Sequence, residues 1–324
     1  MYAIWIFDYV AALPRALIRR IIVVAGLLTV ISISVGFVLH TSSHLQEFFD
    51  GLSPVSVVVI PPGIKTKSDL PKKISEIESP FLSADAAFVV DRKNSKVLYD
   101  LKSKEKLAPA STTKLMTALV SLDIYKLDDE LTVPVICTSV EGTKTYLPAG
   151  KIFKVNDLLY SLLVSSSADA ACVLSNGKMP YKDFIRLMNE KALVIGMSDT
   201  FFTNPIGLDG VDGGHYSTAE DLYRMAVVAM GSEVVKDIVK TKEYVIKSVD
   251  GSFSYNLVNT NKLLWEIPQT VGVKTGTTVA AGEVLIYEFA DEKKDIVIVV
   301  MGSKDRFTDT KALLTWTLSS YSWD

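Results

Sequence analysis

Ser111 and Lys114 stand three residues apart in Pro109-Ala110-Ser111-Thr112-Thr113-Lys114, ahead of an apolar run. If that run is helical, the two residues share a face, and the hydroxyl and the amine can meet. The first N–H groups of a helix are unpaired, so a serine there sits where a developing oxyanion is stabilised. A lysine withdrawn from water loses its proton more readily and can act as a base. A helix-capping serine beside a surface lysine would have the same spacing, so this motif alone does not decide. Lys274-Thr275-Gly276 places a cation and a hydroxyl side by side, followed by a residue that leaves the strand face open. That set suits a carboxylate, although an edge-strand lysine beside a turn reads the same way. Ser165-Ser166-Ser167-Ala168-Asp169 interrupts an otherwise helical stretch. His215 lies in a Gly-rich turn and reads as structural rather than as the base of a Ser-His-Asp triad.

The elements that must hold these residues follow from periodicity. AAFVVD at 86–91 and KVLYD at 96–100 flank a turn and predict a hairpin. Helical spacing runs over 111–126, over 155–174 with its break at the serines, and over 181–193. Ser217-Thr218-Ala219-Glu220 is a capping box opening a helix to about residue 230. EYVIKSV and FSYNLV flank Asp250-Gly251, a tight-hairpin pair. TVGVKTG, EVLIYEFA and DIVIVVMGS supply three more strands, and 308–321 closes as a helix. Strands at both ends and helices between them predict an α+β fold, with a helical insertion in an antiparallel sheet built from both chain ends.

Composition narrows the partners. Lys plus Arg is 34 against 37 for Asp plus Glu, a net charge of −3, which argues against nucleic acid. Two cysteines, Cys137 and Cys172, exclude a disulfide scaffold or a Cys-rich metal site and read as separate buried thiols, although an extracytoplasmic location permits a bridge. No metal or cofactor is called for. Mean hydropathy is +0.27, high for a soluble chain. Residues 21–39 run uncharged for about 28 Å of helix, close to bilayer thickness. Arg15, Arg19 and Arg20 precede them, which places the N-terminus in the cytoplasm and the remainder outside. A cleaved signal peptide competes, but no small-residue cleavage pattern follows the run. The expected organisation is a cytoplasmic segment over 1–20, a single-pass anchor over 21–39, a proline-broken linker over 40–83 and a catalytic domain over 84–324.

The three motifs in this order resemble those of penicillin-recognising serine enzymes. The likeness spans about 84–321 and includes DRKNSKVLYDLKSKEKLAPASTTKLMTAL, LLYSLLVSSSADAA, FFTNPIGLDG before GHYSTAEDL, and VGVKTGTTVAAGEVLI. On these stretches the chain is similar to the serine-type D-alanyl-D-alanine carboxypeptidases, the low-molecular-weight penicillin-binding proteins. The resemblance implies a five-stranded antiparallel sheet with helices on both faces plus a helical subdomain. It implies Ser111 as the acylated nucleophile, Lys114 as its base kept neutral partly by Lys274, and Ser166 as proton donor to the leaving D-alanine. Lys274, Thr275 and Gly276 would form the carboxylate site, and the N–H groups of Ser111 and Thr277 the oxyanion hole. Peptidoglycan stem peptides would be substrates and β-lactams covalent inhibitors, at a bacterial cell membrane.

One departure stands out. The family's second motif is S-x-N before Asp-Ala, and aligning on Asp169-Ala170-Ala171 puts Ala168 in place of the asparagine. Registers starting at Ser165 or Ser167 are the alternatives to Ser166. Two other functions share the motif set. A β-lactamase would need E-x-x-L-N, and the nearest stretch, from Glu190, lacks the asparagine. A non-catalytic penicillin sensor or wall-binding homologue is the other. The chain ends 48 residues after Gly276, so no additional β-rich C-terminal domain is expected.

Overall fold

The computed structural model describes residues 70–323. The expected membrane span at 21–39 lies outside them, and among the described residues no helix is long and apolar enough to cross a membrane. In chain order the elements are β1 (Lys72–Lys73), β2 (Ala86–Asp91), β3 (Lys96–Leu101), a 3-10 turn (Ala110–Thr113) and α1 (Lys114–Ile124). β4 (Glu130–Thr132) and β5 (Ile152–Lys154) pair with each other before α2 (Val155–Leu163), α3 (Ala168–Asn176) and α4 (Tyr181–Val194). Then come α5 (Ala219–Ala229), α6 (Glu233–Lys240), the hairpin β6 (Glu243–Lys247) and β7 (Ser254–Val258), and α7 (Leu263–Glu266). β8 (Thr270–Thr278), β9 (Gly282–Ala290), β10 (Asp295–Ser303), α8 (Arg306–Ser320) and β11 (Tyr321–Ser322) complete the fold.

The main sheet is antiparallel and five-stranded, in the order β3-β2-β10-β9-β8, so the hairpin from the front of the domain pairs with strands from its end. Successive strand residues point to opposite faces. Phe88, Val90, Val297, Val299 and Ile286 join the cluster under the helices α1–α6, while Val89, Ile296, Ile298, Leu285 and Tyr287 join the cluster under α8. Both faces are covered, which is why β9 and β10 read as continuous apolar runs rather than alternating ones. The expected α+β architecture is the one found.

Several local details differ from expectation. The helix expected from residue 111 opens as the 3-10 turn and becomes α-helical at Lys114. Thr218, not Ser217, caps α5, its hydroxyl accepting from Asp221 N at 3.1 Å. Ser217 is held extended by its bridge to Leu107, and its hydroxyl bonds to Thr200 instead. α6 was not anticipated, although Val235, Ile238 and Val239 bury one face at helical spacing. The folded unit also reaches back into the stretch read as linker: β1 pairs with β11, and Trp316 Nε1 donates to Ile77 O at 3.1 Å.

Candidate active site

Ser111 is half-buried at the start of the helical segment and Lys114 is buried one turn on. Lys114 Nζ lies 2.8 Å from Ser111 Oγ and donates to Ile206 O at 2.7 Å. Burial pushes the Lys114 amine down to about 7, against the opposing pull of the Asp169 carboxylate. The resemblance credits the charge of Lys274 in part with keeping Lys114 neutral; here burial is what lowers it. Ile206 is presented by a loop in which Asn204 Oδ1 accepts from the N–H groups of Ile206, Gly207 and Leu208.

Two glycines clasp the nucleophile. Gly207 has φ +87°, and a Cβ there would fall 1.9 Å from Ala110 O. A Cβ at Gly276 would fall 2.8 Å from Ser111 N and 2.9 Å from Ala110 Cβ. Only residues without side chains let the loop and β8 approach this closely. Ala110 itself has φ +48°, a left-handed turn that presents Ser111 between them. The main-chain N–H of Ser111 therefore lies beside the KTG strand.

Lys274 is buried on β8 opposite Ile286, on the face covered by α1–α6. Its amine donates to Thr275 O at 2.9 Å. Burial first, then the nearby Lys114 and Arg306, hold its pKa well below the ordinary lysine value. Repulsion between two amines is mutual, so only one of them holds a proton easily. Thr275 Oγ1 lies 2.6 Å from Thr260 Oγ1.

The serine-rich break lies between α2 and α3. Ser165 Oγ donates to Ser161 O at 2.9 Å. Ser167 caps α3 and donates to Asp169 Oδ1. Ser166, with φ +62°, makes no side-chain hydrogen bond among the described residues. Of the three serines it alone has a free hydroxyl. Asp169 is buried, and its carboxylate accepts from Thr145 N at 3.2 Å and from Leu147 N at 2.9 Å. The register that makes Asp169 a substrate-facing replacement for asparagine thus meets a carboxylate already bound to a loop. That loop also covers Ala168, whose N–H donates to Thr143 O at 2.7 Å. Cys137 and Cys172, expected as separate thiols with a bridge permitted outside the cytoplasm, form a disulfide, with S–S 2.05 Å. The same loop, folded back onto α3, brings residues 35 positions apart together.

His215 Nδ1 accepts from Thr203 N at 3.0 Å, so Nε2 carries the proton and donates to Thr113 Oγ1 at 2.9 Å. Burial pushes its pKa down to about 4. It is a neutral spacer beneath the nucleophile turn. Glu190 sits on the surface of α4, paired with Arg186 at 2.7 Å. Arg306 was missed: Nη1 donates to Gly276 O at 2.6 Å and to Thr277 Oγ1 at 2.5 Å, on the strand that carries Lys274. The only sequence signal was its place after the Asp305 helix cap, and nothing local connects that to β8.

The sequence matches the D-alanyl-D-alanine carboxypeptidase family over residues 73–305. It is 32% identical over 260 residues to the D-alanyl-D-alanine carboxypeptidase DacF of Bacillus subtilis, covering 77% of this chain and 65% of that protein. It is 32% identical over 259 residues to DacC of Escherichia coli, covering 74% of this chain and 62% of that one. The chain thus spans less than two thirds of either relative. The Streptomyces K15 DD-transpeptidase superposes with a TM-score of 0.70 at 28% identity, covering 75% of this chain and 100% of that one.

Proposed function

The chain belongs to the D-alanyl-D-alanine carboxypeptidase family, and on that basis we propose that it removes the terminal D-alanine from peptidoglycan stem peptides through an acyl-enzyme on Ser111. The observation that carries this is the 2.8 Å contact between Ser111 Oγ and a buried amine with a pKa of about 7. In the proposed mechanism the substrate carboxylate settles at Lys274 and Thr275. Opposite charge restores the proton on Lys274, and the resulting ammonium disfavours charge on Lys114. Neutral Lys114 takes the Ser111 proton as Oγ attacks the penultimate D-alanine carbonyl. The oxyanion is held by the N–H groups of Ser111 and Thr277. As the intermediate collapses, the departing D-alanine nitrogen takes a proton from the Ser166 hydroxyl, which Lys114 reprotonates. Water then cleaves the ester and regenerates Ser111.

β-Lactams would acylate the same serine. Glu190, exposed on α4 and tied to Arg186, gives no support to rapid β-lactamase deacylation. The uncharged stretch 21–39 behind three arginines supports a single-pass anchor, with the catalytic domain outside a bacterial cell membrane. One experiment tests both parts. Labelled penicillin should form a long-lived adduct that resists alkaline extraction from membranes, and purified enzyme should release D-alanine from a D-Ala-D-Ala peptide. Ser111→Ala should lose both activities, and deletion of 1–39 should free the adduct from the membrane. Labelling that survives Ser111→Ala, or wild-type enzyme that releases no D-alanine, refutes the catalytic reading; an adduct washed off by alkali refutes the anchor.

A further inference from the structure

We propose that Asp209 is a specificity residue, binding a side-chain ammonium on the substrate residue that precedes the two D-alanines. This rests on the carboxypeptidase reading above, because that reading sets the direction of the bound peptide. With the terminal carboxylate at Lys274 and Thr275 and the scissile carbonyl at Thr277 N, the acyl portion must run on along β8 towards Thr278 and Ala280. An extended chain advances about 3.4 Å per residue, so the residue before the D-alanine pair falls beside that stretch. β8 is the edge of its sheet and pairs only with β9, which leaves room for it.

The loop that passes under the nucleophile ends at the same place. It supplies Ile206 O to Lys114, presses Gly207 against Ala110, and two residues later meets the end of β8. There Asp209 Oδ1 accepts from Thr278 Oγ1 at 2.5 Å and Oδ2 from Ala280 N at 3.2 Å. These contacts hold the carboxylate in one orientation, yet they use two of its roughly four acceptor positions. Asp209 is exposed, and among the described residues no lysine or arginine pairs with it. The loop from Phe201 to Tyr216 contains no lysine or arginine. His215, on the same loop, is neutral and engaged through both ring nitrogens. A fixed, unpaired carboxylate on the acyl side of the cleft selects a cation, and a lysine-length side chain reaches it from the adjacent peptide.

The test compares kcat/KM for D-alanine release from Nα-acetyl-L-lysyl-D-alanyl-D-alanine and from the same peptide acetylated on Nε. An exposed ion pair of this kind should favour the free amine about three- to fivefold at low ionic strength, with the preference shrinking in salt. Asp209→Asn should bring the ratio close to one, and Asp209→Glu should retain it. The ratio is read within each enzyme, so a general loss of rate does not obscure it. Equal kcat/KM for the two peptides in wild type, or a preference unchanged in Asp209→Asn, overturns the proposal. The wild-type comparison stands even if a variant fails to fold. Release from both peptides at equal rates refutes Asp209 alone, whereas release from neither refutes the carboxypeptidase reading itself.

Discussion

At the scale of residues, the chemistry turns on which of two buried amines is neutral. Lys114 can accept the Ser111 proton only when uncharged, and burial places its pKa at about 7. Below that value the neutral fraction falls tenfold per pH unit. The second-order rate constant for penicillin acylation, which reports the free enzyme, should therefore climb with pH through about 7 and level off above it. Lys114→Arg, which keeps its charge throughout, should acylate about 10³-fold more slowly. A flat acylation profile between pH 5 and 9 would count against Lys114 as the base. The serine and lysine were legible because an i, i+3 spacing is local geometry. Arg306 was not, because it meets Gly276 only after β8 and the start of α8 are brought together by the sheet.

At the scale of elements, the break between α2 and α3 is held from outside. Asp169 accepts two backbone N–H groups of the 143–147 loop, and the Cys137–Cys172 bridge ties an earlier part of the same loop to α3. Loop and motif form one unit, so loosening the loop loosens the turn that displays Ser166. Closing a loop of this size restricts the unfolded chain by about 2–4 kcal/mol. Replacing both cysteines by serine should cost about that much in urea unfolding, and a reductant should destabilise the wild type but not the double variant. A wild type indifferent to reductant would mean the bridge contributes nothing. The break itself was legible, since three serines interrupt an apolar period. The pairing of the cysteines was not, since it depends on where a loop with no periodicity folds back.

At the scale of the whole molecule, the helical insertion and the sheet enclose the site between them and bury His215 in neutral form. Its pKa is about 4 when folded and about 6.5 when unfolded. Between those values the unfolded chain binds a proton that the folded one refuses, so stability falls as pH drops from about 6.5 to about 4. The full loss from this group is about 3 kcal/mol, and above pH 6.5 it has no effect. His215→Asn should flatten that part of the stability–pH curve measured by urea denaturation. An unchanged slope would show that other groups dominate acid unfolding.

The strands, most of the helices and the order of the three motifs were legible in the residues alone. Apolar periodicity and turn residues are local, and they survive without knowledge of the partner surface. The five strands of the sheet were all visible as apolar runs, and the family resemblance implied their assembly. Tertiary packing settles which serine of Ser165-Ser166-Ser167 keeps a free hydroxyl, because Ser161 O and Asp169 claim the other two. It also decides that Lys114 and Lys274 are buried together, that Cys137 reaches Cys172, and that Asp209 faces the end of β8. Each of these depends on contacts between segments far apart in the chain, where the energy of a charge or a thiol is set by what packs around it.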